Sequence, residues 1–66
     1  MKQAYLLGVK DCERMYDAGY TFTELEDYVG LESEIGGYKW AGWCEGYRDA
    51  ITHFAKLEEI ANGEVN

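Results

Sequence analysis

The sequence predicts an all-α fold on three observations. Apolar residues recur at three- and four-residue steps in two long stretches, proline is absent throughout, and no alternating apolar run of four or more residues is bounded by turn residues. The 66 residues leave room for one domain, 1–66, because a chain of this size buries only about 60% of the surface its unfolded form exposes. An aromatic content of 15% compensates, since each aromatic side chain buries about 150–250 Å².

The first helix is expected over about 2–18. Tyr5, Val9, Cys12 and Tyr16 form its apolar stripe, and Lys10, Glu13, Arg14 and Asp17 fall on the opposite arc. Gly19 supplies the stop. Thr21, followed three residues later by Glu24, has the form of a capping box that opens a second helix. That helix is expected to be short, about 22–29, with Phe22, Leu25, Tyr28 and Val29 along one edge and Gly30 at its end. Leu31 to Gly37 reads as a loop, because Glu32, Glu34 and the pair Gly36-Gly37 favour a flexible connection. A long third helix follows, about 38–61, carrying Trp40, Trp43, Cys44, Tyr47, Ile51, Phe54, Ala55 and Leu57 on one face and stopped by Gly63.

The two long helices share a phrase. Tyr5-Leu6-Leu7-Gly8-Val9-Lys10-Asp11 returns as Trp43-Cys44-Glu45-Gly46-Tyr47-Arg48-Asp49, and Tyr16 is matched by Phe54. A glycine inside a helix costs about 1 kcal/mol relative to alanine, so two at equivalent places call for a reason, and close approach of the helices supplies one. The expectation is two long amphipathic helices packed as a helical hairpin around Gly8/Gly46. An antiparallel match centred there sets Cys12 near Trp43 and Tyr16 near Trp40, and leaves Leu57, Ile60 and Ala61 projecting past the N-terminus of the first helix. A homodimer through Trp40, Leu57 and Ile60 is one way to cover them.

Thirteen acids against six bases give a net charge of −7. That balance argues against direct binding of nucleic acid, whose phosphates demand cations, and favours basic partners. No stretch approaches the roughly 20 apolar residues that span a bilayer. The apolar run Ala4 to Val9 is too short for a secretory signal and meets Lys10 and Asp11, so the chain is expected in a reducing cytoplasm, with Cys12 and Cys44 as small buried hydrophobes.

Signs of chemistry are sparse. Glu45, Asp49 and His53 stand four apart on the last helix, and histidine and carboxylate at that spacing can share a metal. One helix supplies only part of a shell, with Asp11 as the only further ligand that the repeat suggests, so a solvated face is the plainer reading. His53 is the sole histidine, and Cys44 lies about 13 Å from it along the helix at 1.5 Å per residue, too far for a nucleophile and base. There is no phosphate loop, no Cys-x-x-Cys pair and no calcium-loop pattern. The expectation is a non-enzymatic chain without cofactor or metal.

The acidic middle is the more informative segment. From Met15 to Tyr38 the chain holds Asp17, Glu24, Glu26, Asp27, Glu32 and Glu34 and no lysine or arginine. Neighbouring like charges on a helix repel by a few tenths of a kcal/mol per pair, whereas the outer helices intersperse cations. These six acids, with Tyr20, Tyr28 and Tyr38 as aromatic anchors beside Phe22, are the candidate partner-binding residues. Compact acidic chains with aromatic-x-x-Gly helices resemble the small early proteins with which bacteriophages disable host enzymes or defence systems. The resemblance implies an inhibitor or adaptor acting in the host cytoplasm, and the acidic segment makes its expected target a basic surface of a larger protein, such as one that accepts nucleic acid. The alternative expectation is a structural or assembly module, a helical homodimer whose acidic face only keeps it in solution.

Overall fold

The computed structural model describes residues 2–35 and 41–63. Three helices account for almost all of them: α1 (Lys2–Asp17), α2 (Phe22–Ile35) and α3 (Ala41–Gly63). The all-α expectation therefore holds, with the two long helices packed closely against each other. None of the three is long and apolar enough to cross a membrane.

The α1–α2 turn forms as its residues dictate. Gly19 takes a φ of 100°, its N–H bonds the Tyr16 carbonyl at 3.0 Å, and the Tyr20 N–H bonds the Met15 carbonyl at 3.2 Å. These are the paired bonds of a Schellman stop, which only a residue tolerant of left-handed backbone closes without strain. Two residues on, the Thr21 N–H donates to the Glu24 carboxylate at 2.8 Å, and the Glu24 N–H donates back to the Thr21 hydroxyl at 3.2 Å. The capping box is complete.

The length of α2 departs from expectation. The helix runs through Gly30 and takes up Leu31–Ile35, so the loop expected from 31 is helical as far as Ile35. A glycine ends a helix by adopting positive φ, and among the described glycines only Gly19 does so. Gly30 stays helical, and the leucine and glutamates beyond it are good helix formers. The expected start of α3, residues 38–40, lies outside the described residues, and from Ala41 the helix runs to Gly63, two residues beyond the expected end.

At the α1–α3 crossing, Gly8 and Gly46 are both buried. A Cβ placed on Gly8 would collide with the Trp43 carbonyl oxygen, and one on Gly46 with that of Tyr5. The backbones approach as the repeat implied, but their register is parallel, not antiparallel. Tyr5 meets Asp49 near the start of the pair, and Tyr16 meets Phe54 and Glu58 near its end. Partners thus climb both helices together. The expected neighbour of Tyr16, Trp40, lies outside the described residues. The reason for the parallel register is the length of α2: its 14 residues span about 21 Å, enough to return along most of α1, so that α3 starts at the end where α1 started. Leu57 and Ile60 consequently extend past the C-terminal end of α1, not its N-terminus.

The core lies between the three helices. Cys12, Leu25, Val29, Trp43, Cys44, Tyr47, Ala50 and Ile51 are buried, with Phe22, Met15, Val9, Tyr16 and Phe54 packed around them. Full burial of a large apolar side chain is worth about 1.5–3 kcal/mol. The polar tips inside are satisfied: the Tyr47 hydroxyl donates to the Met15 sulfur at 3.3 Å, and the Trp43 indole N–H donates to Asp11 at 2.8 Å. Both cysteines are free and buried, and burial, followed by the Glu13 charge, pushes the Cys12 thiol up to about 11. Such a thiol is unreactive packing material.

Candidate functional site

The site begins with which side of α2 the core claims. Leu25 and Val29 are buried and Phe22 half-buried, so the face centred on those residues is committed to α1 and α3. Helical geometry then aims Glu24, Asp27, Leu31 and Glu34 away from the core in one stripe, with steps of three, four and three residues. All four are exposed, and Leu31, 56% exposed, sits as an apolar contact within a row of carboxylates. Glu26 is exposed on one flank. Tyr28, 37% exposed, lies on the other beside the half-buried Glu32.

Asp17 and Tyr20 are also exposed. They belong to the α1 end and the turn, near the start of α2. The structure therefore places Glu24, Glu26, Asp27, Tyr28, Glu32 and Glu34 on α2, with Tyr20 in its entry turn and Asp17 at the end of α1. Tyr38 lies outside the described residues. Phe22, offered by the sequence as a further anchor, is half-buried with its ring 5.7 Å from that of Tyr16, so its role is mainly packing. Tyr28 serves two purposes: its ring lies 5.9 Å from both Trp43 and Tyr47, and its outer edge remains accessible. Burial first, then the charges of Glu32 and Asp11, raise its hydroxyl above the ordinary tyrosine value, against a smaller lowering by Arg14. It is a rigid neutral anchor.

The electrostatics of this face are one-sided. Helix α2 carries five acids and no cation, and among the described residues the only ion pair is Arg14 with Asp11, at 2.6 Å on α1. Glu32 and Glu34 also stand near the C-terminal end of α2, where the helix dipole is negative and a carboxylate costs about 0.3–1 kcal/mol. The charge is placed where it destabilises the helix that holds it. Leu31 is the member of the face that sequence reading missed, because it was assigned to a loop. Its spacing of four from Asp27 and three from Glu34 is the signal that an uninterrupted helix exposes.

The Glu45, Asp49 and His53 stripe is bound up differently. Asp49 accepts the Tyr5 hydroxyl at 2.6 Å, and His53 lies against Phe54 at 5.6 Å between ring centres. Asp11, the further ligand suggested by the repeat, is hydrogen-bonded by Trp43 and Arg14. Among the described residues, no group of three or more histidine, cysteine or acidic side chains is arranged to hold a metal ion.

The chain matches no family model, no curated protein and no solved structure.

Proposed function

We propose that this chain is a non-enzymatic interaction protein, an inhibitor or adaptor, that lays the acidic outer face of α2 on a basic surface of a larger protein. The observation that carries the reading is the uncompensated stripe Glu24, Asp27, Leu31 and Glu34, exposed along about 15 Å of helix at 1.5 Å per residue. Carboxylates in a row on a rigid helix present negative charge at fixed places, as a phosphate backbone does, and a surface that accepts nucleic acid would accept them by the same electrostatics. Leu31 and Tyr28 supply the apolar contact that charge alone lacks. The kinship in composition with small acidic phage early proteins supports the same reading.

The test is capture of a partner by the immobilised protein, followed by mass spectrometry. The partner should be held by the native chain and lost on Asp27→Lys with Glu26→Lys, with helix content unchanged because both side chains are exposed. Its affinity should also fall steeply as salt rises. Capture indifferent to both charge reversal and salt would sink the proposal.

A second reading, assembly of the chain with itself, is favoured by one feature. Leu57 and Ile60 are 49% and 52% exposed on the part of α3 that outruns α1. Burying them in a two-fold contact would stabilise a dimer, and that contact, being apolar, would hardly respond to salt. A light-scattering mass of one chain at micromolar concentration removes this alternative.

A further inference from the structure

The contacts between α1 and α3 are reciprocal. Tyr5 donates to Asp49 and Trp43 donates to Asp11; Gly8 abuts the Trp43 carbonyl and Gly46 that of Tyr5; Tyr16 and Phe54, equivalent in the repeat, stack on each other. A local two-fold axis running along the pair accounts for all of them. Such an axis gives the helix pair two equivalent grooves, one on each side. Helix α2 fills one, seating its rings and aliphatic side chains over Trp43, Tyr47 and Ile51 of α3.

The image of that seat, obtained by exchanging the two copies of the repeat, is Tyr5, Val9 and Glu13 of α1. From the other helix, Cys12 and Tyr16 map onto Ala50 and Phe54. These five residues, with Asp49 and His53, line an open groove of about 190 Å³. The second seat exists, and among the described residues nothing lies in it.

We propose that this groove docks an amphipathic, basic helix of another protein in the manner of α2. The occupant is a helix because the chain itself places one on the equivalent seat, against the same two backbones. Its chemistry follows from what the image positions have become: buried Ile51 is replaced by exposed Glu13 and exposed Leu7 by exposed Glu45, while Asp49 keeps the carboxylate of its image Asp11. An apolar ridge with the spacing of Leu25 and Val29 fits over Val9, Ala50 and Phe54, and lysine or arginine beside it meets Glu13. A second copy of this chain is the poorer occupant. The exposed apolar end of its α3 carries Glu58 and Glu59, its α2 has no cation, and two chains of charge −7 repel.

This surface is distinct from the outer face of α2, and one experiment separates them. The probe is a synthetic helical peptide with the phenylalanine, leucine and valine spacing of α2 and lysine at each acidic position of α2, titrated into the full chain and followed by amide chemical shifts. Shifts should concentrate at Val9, Glu13, Ala50 and Phe54. Glu13→Lys should weaken binding by about tenfold or more, while Asp27→Lys leaves it within about twofold. Glu13 is exposed, so helix content should be unchanged, and Glu13→Gln should give an intermediate affinity. Shifts confined to Asp27, Leu31 and Glu34, or indifference to Glu13→Lys, would overturn the proposal. A two-chain mass abolished by Glu13→Lys would also overturn it, assigning the groove to a second copy.

Discussion

Tyr16 and Phe54, which hold the same place in the two copies of the repeat, stack ring on ring at 4.2 Å with 5° between their planes. Because Gly8 and Gly46 also abut the opposite backbones about two turns away, both equivalent pairs can meet only when the helices run in the same direction and lie level. Beyond the stack, the Tyr16 hydroxyl donates to Glu58 at 2.5 Å, which fixes α1 against the next turn of α3. The repeat is thus a locking device: glycines set the separation, and aromatic side chains set the register.

Replacing Gly8 by alanine tests the separation. The added methyl would meet backbone atoms of Trp43 and Tyr47, which cannot rotate aside, so the helices must part. Overpacking of this kind costs about 1–3 kcal/mol, offset by up to about 1 kcal/mol of gained helix propensity. For a small domain, at about 4–8 °C per kcal/mol, that is a fall in thermal midpoint of up to about 20 °C. Gly30→Ala should have the opposite sign: among the described residues a Cβ there has no neighbour within 4 Å and the backbone is already helical, so a gain of about 0.5–1 kcal/mol is expected. Thermal unfolding of the two variants side by side checks the pair. Destabilisation by Gly30→Ala equal to that by Gly8→Ala would show that the crossing is not what the glycine is for.

These glycines also mark how far the sequence could be read. Gly8 and Gly46 were legible as contact points because a glycine inside a helix demands compensation, and Gly19 was legible as a stop. Gly30 looked the same in sequence as Gly19, and the two part only in backbone conformation, which depends on whether the residues beyond find better contacts outside a helix. Reading Gly30 as a stop shortened α2 to about half the length of α1, which hid the helical return that starts α3 beside the start of α1. The repeat could not correct the error, since facing glycines are compatible with either direction. The acidic residues of the candidate face were all visible, but their arrangement as one stripe with Leu31 needed the helix to continue.

The cap of α2 gives a local test. Thr21→Ala removes the hydroxyl that accepts the Glu24 N–H and should cost about 1 kcal/mol, read as a lowered denaturant midpoint with an unchanged slope. Glu24→Gln should cost less, because an amide oxygen can still accept the Thr21 N–H. A loss on Glu24→Gln as large as that on Thr21→Ala would show that charge, not the reciprocal bonds, holds this end.

Alkaline pH should unfold the chain through its tyrosines and Cys12. The Tyr5 and Tyr16 hydroxyls are held above the ordinary 10.0, first by their hydrogen bonds to Asp49 and Glu58, and Tyr28 and Tyr47 first by burial. Cys12 is held up to about 11 against an ordinary 9.0. Folded values above unfolded ones mean that the native state binds the proton more tightly. The contribution is complete below pH 9.0 for the thiol and below 10.0 for the phenols, and is lost as pH climbs through the folded values. Denaturant midpoints measured across this range should be flat below pH 9.0 and fall above it, and Tyr5→Phe should reduce the decline above pH 10.0.

Glu34→Lys separates stability from docking most sharply. Glu34 is exposed, near the C-terminal end of α2, and no basic residue occupies that last turn. Lysine there turns an unfavourable interaction with the helix dipole into a favourable one, so the variant should be more stable by about 0.5–1 kcal/mol. It also places a cation at one end of the proposed contact with a basic surface, so partner capture should weaken. A gain in stability together with a loss of binding is the signature of charge kept for a partner at the expense of the fold. If the face serves only to keep the chain in solution, Glu34→Lys will raise the thermal midpoint and leave every association untouched.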